Sequence, residues 1–234
     1  MPRSSTWPTF RPKRSKRSPR TKPTKRPTKS PKPKEVANLR VGLTGGLGAG
    51  KSEVAKIFES FGAYIIETDE LARAAVAPNS DGLRAIARAW PQVVQGDSLN
   101  RAALAEIVFR DETARQRLNE IVHPFVRQLA IEKEENAKPG QVIVHVVPLL
   151  FETDYAKRCD ATVVVVAPPE QRVHRVLERD KWSEEQVRAR MSAQIDPEEA
   201  RARATYVIEN DGDLSHLRDR TQAVFEKLQS SAVA

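Results

Sequence analysis

"VGLTGGLGAGKSEVA", residues 41–55, sets five glycines between positions 42 and 50 and follows them with a lysine and a serine. Glycine loses more backbone freedom on ordering than any other residue, so a cluster of them needs a reason. Gly45, Gly50, Lys51 and Ser52 meet the spacing G-x-x-x-x-G-K-[ST] of a phosphate-cradling loop. In that design the intervening Gly46, Leu47, Gly48 and Ala49 turn backbone N–H groups toward phosphate oxygens, with no bulky Cβ in the way. A helix starting near Lys51 adds the positive end of its dipole. Lys51 supplies a point charge to the β- and γ-phosphates, and Ser52 a hydroxyl to Mg²⁺.

The context is that of strand, loop and helix. "LRVGL" (39–43) precedes the glycines, and "KSEVAKIFESF" (51–61) follows them with Val54, Ile57, Phe58 and Phe61 on one helical face. Further β-rich runs lie at 63–68, 141–147, 161–166 and 205–210, with helical stretches between. Continuous apolar strands separated by helices predict an α/β fold whose parallel sheet is covered on both faces. Residues 70–139 hold four helical patterns bounded by Pro, Gly, Asp and Asn, too much helix for a simple crossover, and read as an inserted helical subdomain. A second helical block from 169 to about 204 contains "RVHRVLERDKWSEEQVRARM" (172–191), in which Ser183 and Gln186 have capping-box spacing.

Charge is segregated along the 234 residues. The net charge is +8, yet residues 1–34 hold thirteen Lys or Arg and no acid, which leaves 26 basic against 31 acidic residues for the rest. That head also carries eight prolines and reads as a disordered, polyproline-like extension over 1–38. Two readings of it stay open. One is an extension without a role, including residues read from an upstream start codon. The other is a weak, sequence-tolerant tether to nucleic acid or an anionic surface. A single cysteine, Cys159, excludes an intrachain disulfide and a multi-cysteine metal site. Absence of a long apolar run and of a secretory core predicts a cytoplasmic protein without a membrane anchor.

A phosphate loop alone leaves kinases, ATPases and GTPases open. No N-K-x-D guanine motif follows a later strand, and no apolar strand ends in consecutive acids. Asp69, in "IIETDELAR" (65–73), falls just beyond the second strand on the sheet edge where the loop emerges. It reads equally as a carboxylate for a substrate hydroxyl or Mg²⁺ and as a helix N-cap. Arg172, Arg175 and Arg179 share one helix face and suit charge developing on a transferred phosphoryl group. The trend is a small-molecule kinase with a lid.

In order along the chain, "GLTGGLGAGKS" (42–52), "IIETDELAR", "LNRAALAEIVF" (99–109), "LNEIVHPFVR" (118–127), "VVPLLFE" (146–152), "QRVHRVLERD" (171–180) and "YVIENDG" (206–212) resemble the dephospho-CoA kinase family. The resemblance covers roughly 39–228. It implies a nucleoside-monophosphate-kinase-like, three-layer α/β fold over 39–230, with a five-stranded parallel sheet, a helical substrate domain at 70–139 and a lid at 169–200. It implies ATP and dephospho-CoA as substrates, Mg²⁺ as cofactor, and phosphorylation of the ribose 3′-hydroxyl. By the same resemblance Asp69, Lys51 and Arg179 are catalytic. Gly46–Ser52, Arg175 and Asn210 bind the nucleotide, and His123, Pro148, Leu149 and Glu152 line the acceptor side. A kinase of another small metabolite on the same scaffold is the nearest alternative, since the helical insert must choose the acceptor. A nucleotide-gated nucleic-acid-binding protein that uses the head is a more distant one.

Several positions depart from the family pattern. Glu67-Thr68-Asp69 stands where D-A-D is common, Glu53 where Thr is usual, Trp90-Pro91 for Phe-Gly, Lys181-Trp182 after Arg179, and Thr205 for an Asp. None of these removes a group that the chemistry needs. His145, inside an apolar strand, reads as a core histidine.

Overall fold

Parallel strands lie at the centre of the computed structural model, which describes residues 37–232. The expected disorder of the basic head falls, up to residue 36, outside the described residues. Five strands, β1 (Leu39–Gly45), β2 (Tyr64–Glu67), β5 (Val142–Val146), β6 (Ala161–Val166) and β7 (Tyr206–Glu209), form one sheet in the order β2-β5-β1-β6-β7. All four pairings are parallel; β1 holds the middle, with Val41 opposite Val144 on one side and Ala161 on the other. The five apolar runs read from the sequence are these five strands.

Alternation along each strand sorts its side chains between two layers. Val41 and Leu43 of β1, Val142, Val144 and Val146 of β5, and Val163 and Val165 of β6 face one layer. There they meet Val54, Ile57 and Phe58 of α1 (Lys51–Ser60) and Leu217, Phe225 and Leu228 of α9 (Leu214–Ala232). Phe225 lies 5.9 Å from the Phe58 ring and 5.7 Å from that of Phe61, so the helical face predicted for 54–61 is the one that docks.

On the opposite face Ile66 and Ile143 pack with Leu71 of α2 (Thr68–Ala75) and Val126 and Ala130 of α5 (Glu112–Glu134). Val164 and Val166 pack with Leu150, Phe151 and Ala200 of α8 (Pro197–Arg203). His145 shares this face, 2% exposed, with its Nδ1 2.9 Å from the Tyr155 hydroxyl and its Nε2 3.3 Å from a Glu134 carboxylate oxygen that neighbours Arg40.

The insert between β2 and β5 has a core of its own. Ile86 and Trp90 of α3 (Asp81–Ala89) and its C-cap, Leu104 of α4 (Arg101–Arg110), and Ala114 of α5 gather around Val93. Its helices start where the sequence offers caps: Ser80, Asn100 and Asp111 each accept first-turn N–H groups at 2.8–3.2 Å. One feature was not legible as helix. Residues 91–99 form a 3₁₀ turn (Pro91–Val93) and a two-residue antiparallel ribbon, β3 (Val94–Gln95) with β4 (Ser98–Leu99), because Pro91 ends α3 and Gly96 turns the chain at φ 59°. Trp90, a departure from the family pattern, is buried there beneath the Arg117 guanidinium. Thr205, another, exchanges hydrogen bonds with Thr162: each backbone N–H donates to the other's hydroxyl at 3.0 Å, which clasps the start of β7 to β6.

Burial first, then the charges of Arg158 and Arg40, push the His145 pKa down to about 4 from 6.5. The unfolded chain therefore binds this proton at a higher pH than the folded one. The stability contribution is complete above pH 6.5 and is lost as pH falls toward 4, on the order of 3 kcal/mol. Urea midpoints measured between pH 7 and 4 should fall less steeply for His145→Gln than for the native chain; parallel curves would refute a buried neutral imidazole.

Candidate active site

Two glycines let the loop after β1 take its shape. Gly48 and Gly50 sit at φ 75° and 98°, in the left-handed region. A Cβ on Gly48 would lie 2.4 Å from the Arg172 carbonyl oxygen, and one on Gly50 2.1 Å from Asn210 Nδ2. Ala49 N–H closes the turn onto the Gly46 carbonyl at 3.0 Å, and the Gly50 carbonyl accepts from Glu53 and Val54 to start α1. Lys51 and Ser52 thus open the helix, with Ser52 exposed. Glu53 pairs with Lys56 at 3.3 Å, so its charge is partly met on its own helix.

Three side chains brace the loop from its inner side. Asn210, buried after β7, donates Nδ2 to the Ala49 carbonyl at 2.8 Å, while its own N–H holds the Val166 carbonyl at 2.8 Å. Arg172 on α6 (Pro169–Arg179) donates Nε to the Leu47 carbonyl at 2.9 Å. Gln194, between α7 (Glu184–Ser192) and α8, accepts the Leu47 N–H at 2.8 Å. Leu47 itself packs with Val173, Val176 and Val187, flanked by Trp182 and Met191. Trp182 is further covered by Arg190, 4.1 Å from the ring centre.

The arginine trio divides. Arg172 is 6% exposed and committed to the loop. Arg175 donates to Gln171 at 3.1 Å and to the Asn210 carbonyl at 3.2 Å, and its Nη1 is buried without a partner. Arg179 is exposed and held by the neighbouring Asp180 at 2.8 Å. One helix face therefore carries a strut, a partly committed donor and a surface cation. The capping box at Ser183 and Gln186 forms as the spacing predicts.

Lys51 faces three carboxylates. Burial lowers its pKa, and Asp69, Glu67 and Glu152, in that order, push it back up. Glu67 ends β2 and serves as the N-cap residue of α2 without a side-chain capping bond; burial raises its pKa, Lys51 lowers it, and Glu70 and Asp69 add to the rise. Asp69 lies in the first turn of α2, exposed and past the cap position, so the alternative reading of it as an N-cap does not hold. Buried Thr68 donates its hydroxyl to the Val146 carbonyl at 2.8 Å and ties that turn to the end of β5. This departure from the family pattern thus anchors Asp69.

Beyond Glu152 opens a cavity of about 880 Å³. Asn119, His123 and Arg127 line it from one face of α5 at four-residue spacing, and the 151–158 segment lines it opposite. Partial burial of the His123 ring, then the charge of Arg127, lowers the His123 pKa. Of the four residues expected on the acceptor side, His123 and Glu152 line this cavity; Pro148 and Leu149 do not. Burial of Leu150 and Phe151 pins the turn so that Leu149 points outward, 49% exposed, and Pro148 lines the crevice behind the glycine loop instead. Missing from the sequence reading were Gln194 and the cavity's arginines. The spacing of Asn119, His123 and Arg127 was the available signal for Arg127; Gln194 lies outside any local motif.

Known proteins agree with this architecture. The family model described as dephospho-CoA kinase matches residues 39–216. The dephospho-CoA kinase of Thermobifida fusca is 44% identical over 193 residues, covering 82% of this chain and 96% of its own. The crystal structure of TT1252 from Thermus thermophilus superposes with a TM-score of 0.74 at 38% identity, covering 82% of this chain and 98% of its own. The dephospho-CoA kinase from Campylobacter jejuni gives 0.59 at 27%, with the same coverage. With its glycine loop, strand order and helical insert accounted for, this chain belongs to the dephospho-CoA kinase family.

Proposed function

We propose that, in the transfer that makes CoA from dephospho-CoA as the last step of coenzyme A biosynthesis, Asp69 accepts the proton of the ribose 3′-hydroxyl. The 3′-oxygen forms a bond to the γ-phosphorus of ATP, the bond from that phosphorus to the β,γ-bridging oxygen breaks, and ADP leaves with the electron pair. The observation that carries this reading is Lys51, at the head of α1 directly after the glycine loop, within reach of the charges of Asp69, Glu67 and Glu152.

Each group has a task in that scheme. The N–H groups of Gly46, Gly48, Gly50, Lys51 and Ser52 cradle the phosphates, those of Leu47 and Ala49 being committed to Gln194 and to the Gly46 carbonyl, and Lys51 meets the β- and γ-oxygens as charge shifts toward ADP. Asn210 acts from inside, by holding Ala49 in place. Arg175, with its unpartnered Nη1, and Arg179, once drawn from Asp180, supply positive charge on the nucleotide side. His123 and Glu152 border the acceptor. Among the described residues no cluster of His, Cys, Asp or Glu forms a metal cage. An exposed Ser52 hydroxyl at the head of α1 suits Mg²⁺ carried in on phosphates, since that ion keeps most of its shell as water and substrate oxygen. Ser52 would hold it, and it would neutralise phosphate charge. We place the enzyme in the cytoplasm, where its one thiol stays reduced; burial pushes the Cys159 pKa up to about 12. Residues 1–34 add weak contact with polyanions.

ADP release from ATP and Mg²⁺ should rise strongly on adding dephospho-CoA and fall about 10²–10⁴-fold in Asp69→Asn; stimulation that survives the substitution would remove Asp69 from its role. Asn210→Ala leaves the buried Ala49 carbonyl unpaired, which costs about 1–3 kcal/mol of stability. It should also raise KM for ATP while sparing KM for dephospho-CoA. Equal changes in both would show that the brace serves the whole fold rather than the loop.

A further inference from the structure

Among the side chains that brace the glycine loop, Gln194 does something that Arg172 and Asn210 do not. A trans peptide is planar, with its C=O and the following N–H directed opposite ways. Arg172 takes the Leu47 carbonyl at 2.9 Å and Asn210 the Ala49 carbonyl at 2.8 Å, so these braces aim the N–H groups of Gly48 and Gly50 away from themselves. Gln194 takes an N–H instead. Its Oε1 accepts from Leu47 at 2.8 Å, while the carbonyl at the other end of the same peptide, that of Gly46, accepts from Ala49 at 3.0 Å. The Gly46–Leu47 unit is thus fixed at both ends. It has little slack elsewhere: a Cβ on Gly46 would lie 2.4 Å from Arg172 Nη2, and the Leu47 side chain packs with Val173, Val176 and Val187. Gln194 is itself held in the turn between α7 and α8. Its N–H donates to the Met191 carbonyl at 3.3 Å, the next N–H goes to Glu152 at 3.4 Å, and Asp196 caps α8 through the N–H groups of Glu198 and Glu199.

We infer that Gln194 is a positioning residue for ATP: it acts through the Leu47 N–H to set the first half of the phosphate loop, and it ties that setting to the turn between α7 and α8. This deepens the kinase reading and rests on its assignment of the glycine loop to ATP. The residue type follows from the neighbourhood. The Leu47 N–H needs an acceptor, yet the charges of Asp69, Glu67 and Glu152 already act on Lys51 close by. A carboxylate at position 194 would bring one more negative charge toward the incoming polyphosphate. A carboxamide oxygen accepts the same bond without that charge. Loss of the acceptor leaves the Leu47 N–H unpaired and the Gly46–Leu47 unit held at one end only, so the neighbouring Gly48 N–H is less well aimed at the phosphates.

Two variants of the full chain separate the acceptor atom from the shape of the side chain. Gln194→Met keeps the length and removes the acceptor, whereas Gln194→Glu keeps the acceptor and adds charge. Gln194→Met should raise KM for ATP about 5–50-fold and leave KM for dephospho-CoA near its native value. Gln194→Glu should raise KM for ATP at low salt, and its excess over the native chain should shrink as ionic strength screens the added charge, while that of Gln194→Met persists. Thermal melting shows whether each variant is folded at the assay temperature; where Gln194→Met is not, the salt response of Gln194→Glu decides alone. An unchanged KM for ATP in Gln194→Met, or equal rises for both substrates, would overturn the positioning role while leaving the kinase reading in place. So would an excess in Gln194→Glu that salt does not reduce. A native chain whose ADP release does not respond to dephospho-CoA would overturn that reading, and this inference with it.

Discussion

A backbone that turns most of its N–H groups outward sends carbonyls the other way, into the protein, where each needs a donor. The architecture around residues 45–52 follows from that constraint. The Ala49 carbonyl finds Asn210, and the Leu47 carbonyl finds Arg172. Both donors come from distant parts of the chain, brought behind the loop by the ends of β7 and β6. The parallel order β2-β5-β1-β6-β7 is what places those strand ends on one edge. Because Gly48 and Gly50 would clash with Arg172 and Asn210 if they carried a Cβ, loop and braces specify each other.

Electrostatics follows the same geometry. Lys51 is drawn in by its place at the head of α1, and burial alone would favour its neutral form. Asp69, Glu67 and Glu152 oppose that burial in part, and the net effect on Lys51 remains downward. The carboxyl of Glu67 is raised by burial against the pull of Lys51. Glu at this position reaches one methylene further than the Asp common in the family, and the compensation is visible next door, where Thr68 fastens the turn to Val146.

Much of this was legible in the chain because the signals are local. Glycine spacing, apolar runs and capping residues report on their own neighbourhoods, and the five strands, the docking face of α1 and the Ser183 capping box all follow from them. The 91–99 ribbon was missed since Pro91 and Gly96 break a pattern that otherwise reads as helix. The arginine trio shows the limit more sharply. Spacing puts Arg172, Arg175 and Arg179 on one face, but only the sheet edge determines that Arg172 is swallowed behind the loop while Arg179 stays in solvent. Pro148 and Leu149 lie off that cavity for a similar reason: the burial of Leu150 and Phe151, a tertiary fact, decides which way their turn faces.

The region expected to move as a lid is, in part, built into the frame. One peptide neighbourhood, Leu47, is held at its carbonyl by Arg172 on α6 and at its N–H by Gln194 ahead of α8, and its side chain packs beneath α6 and α7. A closing motion that carried the whole of 169–200 would have to break both bonds and strip that side chain of its cover. Past Val176 the end of α6 is exposed at Leu177 and Arg179, before Trp182 and Val187 return the chain to Leu47. Glu152 then links the remaining parts, since it acts on Lys51, accepts the Ile195 N–H at 3.4 Å and borders the cavity lined by α5. Loop, cavity wall and the segment after α7 thus share one carboxylate.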